Sequence, residues 1–263
     1  MNQSYSDQVA GPAVPDPRPS GRGRGRRSRR GAALYALTAA SGLSLAMLAV
    51  PGAGAVTAPS SGCAAVNIIT ARASTEAPGE GITGSLVTQI VDTSTQTVSR
   101  EAVSYPATLT NYASSESQGV TNAEQELTTA VQNCPNQKQV LLGYSQGAEV
   151  VMDVIAGNTE AGGTVKPVST SVSSHVVAIA NFGDPGHVVS QPWDLGTATL
   201  NGLFPRSSAE LKLLAAFGSS KIDAWCDSGD PFCASGIDLE THLTYLDRYQ
   251  NAAASFVLGK IGG

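Results

Sequence analysis

The chain has 263 residues with 16 Lys and Arg against 21 Asp and Glu, and four cysteines. Residues 1–55 hold seven of those basic residues and two of the acidic ones, so residues 56–263 carry nine basic and 19 acidic residues, a formal charge of −10. A surface this acidic argues against nucleic acid and anionic lipid as partners.

Prolines 12, 15, 17 and 19 open the chain, followed by the basic cluster Arg22, Arg24, Arg26, Arg27, Arg29 and Arg30. An apolar stretch from Ala32 to Val50 leads to Pro51-Gly52-Ala53-Gly54-Ala55. Basic segment, apolar segment and small-x-small exit predict a secretory signal, removed after Ala55, and a secreted protein. The alternative is an uncleaved signal-anchor, but the Ala, Gly and Ser content makes this stretch a poor permanent anchor. About 208 residues remain, enough for one domain with its own core.

All four cysteines, Cys63, Cys134, Cys226 and Cys233, follow that site, so an exported chain is expected to form two disulfides, with three connectivities open. A zinc site is not expected, because no Cys-x-x-Cys pair exists and no histidine sits at ligand spacing.

In chain order, residues 64–69 read as a buried strand running into the polar loop 70–76. Ile82, Leu86, Val87, Ile90 and Val91 recur at helical spacing. Residues 101–106 read as a strand ending at proline, and a Ser-, Asn- and Gly-rich loop is expected to Gly119. Val120, Ala123, Leu127, Ala130 and Val131 mark another helix face. Gln139–Leu142 is a short aliphatic strand, followed by Gly143-Tyr144-Ser145-Gln146-Gly147 and a run free of Gly and Pro to Ala156. Residues 175–182 form a near-continuous apolar run, as a strand buried on both faces should. Residues 183–218 read as irregular, with a helix over 208–216. A last strand is expected at 221–225 and a closing helix over 242–259. Strands alternating with helices predict an α/β layered domain with a mostly parallel sheet.

Strand, Gly-x-Ser-x-Gly turn and helix make the nucleophile-elbow arrangement of α/β-hydrolases. Gly143 and Gly147 lack the Cβ atoms that would collide as strand and helix close on each other. The helix N-terminus brings free N–H groups to where an oxyanion would form. A serine needs a base, and the base needs an acid to hold its tautomer. In this fold they follow in the order Ser, acid, His. His175 reads as a strand-end residue. His187 and His242 remain as bases, with His242 favoured by its place after the last strand. Asp223, Asp227, Asp230 and Asp238 compete as the acid. Asp230 is singled out by its frame Cys226-Asp227-Ser228-Gly229-Asp230-Pro231-Phe232-Cys233.

The serine pentapeptide, the Cys226 to Cys233 loop and His242-Leu243-Thr244-Tyr245 together resemble the cutinase family, which includes acetylxylan esterases. Ala71-Arg72-Ala73-Ser74-Thr75-Glu76 is similar to that family's oxyanion loop, with Ala73 where Gly is common. The resemblance covers residues 63–260. It implies a three-layer α/β-hydrolase-type, cutinase-like domain without a lid domain. It further implies Ser145 as nucleophile, Asp230 as acid and His242 as base, an oxyanion hole at Ser74 and Gln146, and disulfides Cys63–Cys134 and Cys226–Cys233. The expected activity is serine ester hydrolysis without metal or organic cofactor, by a monomer with no stable membrane anchor. Cutin-like polyesters rank first as substrate and acetylated xylan second. A catalytically silent secreted binding protein on the same scaffold is the reading from another class.

Overall fold

The computed structural model describes residues 62–158 and 164–262. The signal-peptide expectation for residues 1–55 therefore lies outside the described residues. By contact, the described residues fall within one compact unit.

Six parallel strands form the sheet: β1 (Val66–Ala71), β2 (Val98–Ala102), β3 (Lys138–Tyr144), β4 (Val176–Phe182), β5 (Asp194–Leu195) and β6 (Ile222–Trp225). Their spatial order is β2-β1-β3-β4-β6-β5, every pair parallel. The helices are α1 (Gly84–Thr93), α2 (Tyr112–Asn133), α3 (Gln146–Ala156), α4 (Thr170–Ser173), α5 (Ser208–Gly218), α6 (Leu239–Leu243) and α7 (Tyr245–Ile261). On one sheet face Val66, Ile68, Val140, Leu142 and Ala178 pack with Leu86 and Ile90 of α1 and Ala253 and Val257 of α7. On the other Ile69, Leu141 and Ile179 pack with Val120 and Leu127 of α2, Val150 and Val154 of α3, and Leu214 of α5. Helices cover both faces of a parallel sheet, which is the expected three-layer architecture.

The first strand runs Val66–Ala71 rather than 64–69, so Thr70 and Ala71 belong to the sheet rather than to the loop, and three further elements differ from the sequence reading. The second strand is Val98–Ala102 rather than 101–106, because pairing with β1 sets its register from Val98 opposite Val66. The loop expected to Gly119 ends at Tyr112, where α2 begins one residue after Asn111 in a left-handed conformation, φ 54°. Its first turns carry Ser and Glu and so lack an apolar periodicity, and Ser115 and Glu116 are buried all the same. The closing helix is two helices, broken at Thr244. The two-residue edge strand β5 is too short to carry a periodicity signal.

Among the described residues no helix is long and apolar enough to cross a membrane. Disulfides join Cys63 to Cys134 and Cys226 to Cys233, the pairing implied by the family resemblance.

Candidate active site

Strand β3 ends at Tyr144 and α3 starts at Gln146, leaving Ser145 alone to reverse the chain. It does so at φ 55°, ψ −122°, a region that non-glycine residues occupy only when their surroundings over-determine it. The constraints are visible. The Ser145 N–H donates to the carbonyl of Phe182 at 2.8 Å, and the Ser145 carbonyl accepts from Ala148 and Glu149 at 2.9 and 3.2 Å. A Cβ on Gly143 would lie 2.7 Å from the Ala148 Cα, and one on Gly147 would strike the Ala71 carbonyl. The two glycines let the elbow close against β1 and α3.

Ser145 and His242 line the same open cleft, of about 530 Å³, with Ser74, Tyr112, Tyr144, Phe204 and Phe232 among the other walls. His242 sits on α6, with its Nδ1 2.7 Å from Asp230 Oδ2. The Phe232 ring packs on the imidazole at 4.4 Å between centroids. The Tyr144 hydroxyl donates to the His242 carbonyl. Gly183, at φ 63°, leaves the space the ring occupies, since a Cβ there would be 2.7 Å from the His242 Cε1.

Asp230 is fully buried. It accepts from the Tyr245 hydroxyl at 2.8 Å, from Phe232 N–H at 2.7 Å and from Cys233 N–H at 3.1 Å, besides the histidine. Burial alone would raise its pKa, but the His242 hydrogen bond and charge and the two backbone N–H groups outweigh that and hold it below the ordinary carboxylate value. The Cys226–Cys233 bridge closes the loop in which those donors stand.

The competing acids have other partners. Asp227 accepts from Thr197 N–H, Arg248 and Tyr249. Asp238 caps α6 through Glu240 N–H and the Thr241 hydroxyl. Asp223 stands on β6. His187 is buried with its Nδ1 3.6 Å from Asp194, and burial lowers its pKa. It does not line the cleft. His175 precedes β4, its ring nitrogens on the carbonyls of Ser171 and Pro135.

Among the described residues the Ser74 hydroxyl oxygen, buried beside the cleft, has no hydrogen-bond partner. Its loop is fixed from several directions. Thr75 N–H donates to the Ala107 carbonyl at 2.7 Å, and Glu76 accepts from Ala73 N–H and Ile82 N–H, both at 2.7 Å. The Arg72 guanidinium is buried and donates to the carbonyls of Glu76, Val103 and Tyr105. Ala73 fits this loop and lines the cleft with its methyl. The Gln146 side chain is turned away, to the Ser115 hydroxyl and the Thr108 carbonyl. Its backbone N–H begins α3, where the first N–H groups of a helix lack intrahelical acceptors.

Sequence reasoning did not find the buried group beneath this site. Arg206 donates to Asp153 at 2.7 Å, to Asp184 at 2.6 Å and to the Glu149 carbonyl at 3.2 Å. Tyr112 donates to the Glu149 carboxyl, and Asn158 to that of Glu116. The signal was two acids four residues apart, Glu149 and Asp153, on an otherwise apolar α3 buried along its whole length.

The cutinase family model matches residues 62–261. Cutinase 11 of Verticillium dahliae is 31% identical over 76% of this chain and 70% of its own length. Phospholipase Culp4 of Mycobacterium tuberculosis is 31% identical over 94% of this chain and all of its own. The catalytic core of an acetyl xylan esterase from Trichoderma reesei superposes with a TM-score of 0.69, at 28% identity, over 76% of this chain and all of that one. The chain belongs to the cutinase family of ester hydrolases.

Proposed function

We propose that the chain is a secreted serine carboxylic-ester hydrolase of cutinase type, acting on cutin-like polyesters and short-chain esters. The observation that carries this reading is a histidine hydrogen-bonded to buried Asp230 and lining the same largely apolar cleft as a serine on a strained elbow. With Nδ1 engaged by Asp230, His242 uses Nε2 to take the Ser145 proton as the hydroxyl attacks the ester carbonyl. Asp230 holds the tautomer and stabilises the imidazolium. Ser74, through its hydroxyl and N–H, and the Gln146 N–H receive the oxyanion, and removing one such donor typically costs about 2.7–4 kcal/mol. His242 then protonates the leaving alcohol and activates the water that releases the acid from the acyl-enzyme. Every proton moves between these side chains and water, so the cycle uses no cofactor.

The cleft favours an aliphatic ester. Its rim carries Leu109, Leu203, Leu239 and Leu243, all substantially exposed, with Ile82 beside them. The rim is drawn from separate segments, with Ile82 before α1, Leu109 before α2, Leu203 and Phe204 before α5, and Leu239 and Leu243 on α6. Deacetylation of xylan is the second reading, favoured by the likeness to the acetyl xylan esterase core. Hydrolysis of cutin, acetylated xylan and triglyceride by one purified sample separates the two. A sample that turns over no p-nitrophenyl butyrate is a binding protein on this scaffold, and the proposal falls. Secretion predicts that the isolated protein begins near Val56, which N-terminal sequencing checks, and runs as a monomer on gel filtration.

A further inference from the structure

One wall of the cleft hangs from the buried charge group. Tyr112 and Phe204 face the cleft and pack on each other, with ring centroids 5.1 Å apart. Neither ring is held there by its own backbone alone. Tyr112 is the first residue of α2, directly after Asn111 in a left-handed conformation. Its hydroxyl, however, reaches across to the Glu149 carboxyl of α3, one turn beyond Ser145. Phe204 stands in the irregular segment before α5, and only Pro205 separates it from Arg206. Arg206 is pinned to Asp153, Asp184 and the Glu149 carbonyl. Both rings thus share an anchor on the helix that carries the nucleophile.

Resting on the ester-hydrolase reading above, we propose that Tyr112 is a specificity-determining residue for the ester's acyl chain and that Glu149 is the positioning residue that holds its ring in the cleft wall. The hydroxyl is used up below the cleft, so Tyr112 presents an apolar face to substrate. A ring fixed in advance spares the substrate the ordering of that side chain on binding, so the gain appears in KM. It grows with the length of chain that lies against the ring. Burial and the Asp184 charge push the Glu149 carboxyl up to about 8, so at neutral pH an uncharged group accepts the tyrosine proton. An amide imitates that state. Arg206 reaches Glu149 through the backbone carbonyl, so changing the side chain leaves that bond in place.

The test compares wild type with Tyr112→Phe, Glu149→Leu and Glu149→Gln at pH 7, using p-nitrophenyl acetate, butyrate and octanoate. Folding of each is checked by near-UV circular dichroism and melting temperature. Tyr112→Phe keeps the ring and removes the tether from one side, while Glu149→Leu removes it from the other. Both are expected to raise KM for octanoate about 5-fold, the equivalent of one ordinary hydrogen bond. The loss should fall on KM rather than kcat and shrink as the acyl chain shortens to acetate. Glu149→Gln should recover most of what Glu149→Leu loses. A loss in kcat equal for all three esters would mark a structural role only and overturn the inference, as would a wild-type chain-length profile in folded Tyr112→Phe. A wild-type protein that hydrolyses none of the three overturns the ester-hydrolase reading and this inference with it.

Discussion

Asp230 and Glu149 are equally hidden from water, at 0 and 1% exposure, yet their acidities move in opposite directions. Asp230 is held below its ordinary value and Glu149 is pushed up to about 8. Burial acts on both in the same sense, so donors decide the outcome. Asp230 alone receives a histidine, a tyrosine hydroxyl and two backbone N–H groups. Glu149 shares one guanidinium with Asp153, Asp184 and Glu116, and among the described residues its own carboxyl receives only Tyr112. Glu116 rises to about 7, chiefly by burial, and Asp153 rises well above its ordinary value for the same first reason. One region holds a carboxyl toward its charged form, while the other gathers carboxyls that burial pushes toward their neutral form around one guanidinium.

The sharpest way to break this comparison is to make the same carboxyl-to-amide change in both regions. Asp230→Asn removes the charge and reverses the donor at His242 Nδ1, so kcat should fall by about 10⁴-fold with the fold intact. Glu116→Gln replaces a group raised to about 7 and so about half protonated at neutral pH, and should leave kcat with p-nitrophenyl butyrate nearly unchanged. Ser145→Ala and His242→Ala should each be as damaging as Asp230→Asn or worse, because such residues act as a unit. His187→Ala should stay active. A dead His187→Ala with an active His242→Ala would move the base to the other histidine.

The neutral region has its own breaking point in Arg206. Arg206→Met leaves the carboxyls without their guanidinium and should cost about 3–5 kcal/mol of stability. The acids can protonate when their cation is gone, so the loss should be larger at pH 8 than at pH 5. Urea denaturation at the two pH values measures this, and an equal loss at both would mean that the acids do not titrate with the network.

The disulfides extend the contrast from charges to loops. Cys63–Cys134 spans a sequence separation of 71 and Cys226–Cys233 one of 7. In the chain-entropy model they contribute about 4.4 and 2.5 kcal/mol. The short bridge frames Asp230 and its Phe232 and Cys233 donors. Replacing Cys226 and Cys233 with Ser should therefore lower kcat per folded molecule well beyond its effect on melting temperature. The Cys63/Cys134 replacement should do the reverse. Equal kcat losses would reduce the short bridge to a surface staple.

How far each region was legible in the sequence follows from the same physics. The Asp230 side is local: a Gly-framed serine, an eight-residue disulfide loop and a histidine before a helix lie within short stretches. The family resemblance rests on those stretches; Ser145 and His242 line one cleft, and Asp230 is hydrogen-bonded to His242 behind it. Asp227 and Asp238 could be set aside only once Arg248, Tyr249 and the α6 N-terminus appeared as their partners. The Arg206 side is assembled from α2, α3, the turn after β4 and the segment before α5. No periodicity links Glu116, Glu149, Asp184 and Arg206, and a stretch called irregular concealed the cation. The early start of α2 at Tyr112 escaped for a related reason, since its first buried residues are polar and are matched by partners far along the chain.

The smallest effect isolates the neutral state itself. Glu116 moves from an unfolded value of 4.5 to about 7 in the fold, so between those limits the native chain binds more protons than the unfolded one. Stability from this group is fully present below about 4.5 and is lost as pH rises through 7. Asp230 has the opposite sign, its contribution being lost as pH falls through its lowered value. In Glu116→Gln an amide oxygen can still accept from Asn158, and an amide, unlike the carboxyl, gains no charge as pH rises. That variant should therefore match wild type at pH 5 and exceed it at pH 9, by roughly 1–3 kcal/mol. Denaturant unfolding at the two pH values reads the difference directly. A variant less stable than wild type at pH 9 would mean that ionised Glu116 is welcome in the fold, and the division between a charged region and a neutral one would not hold.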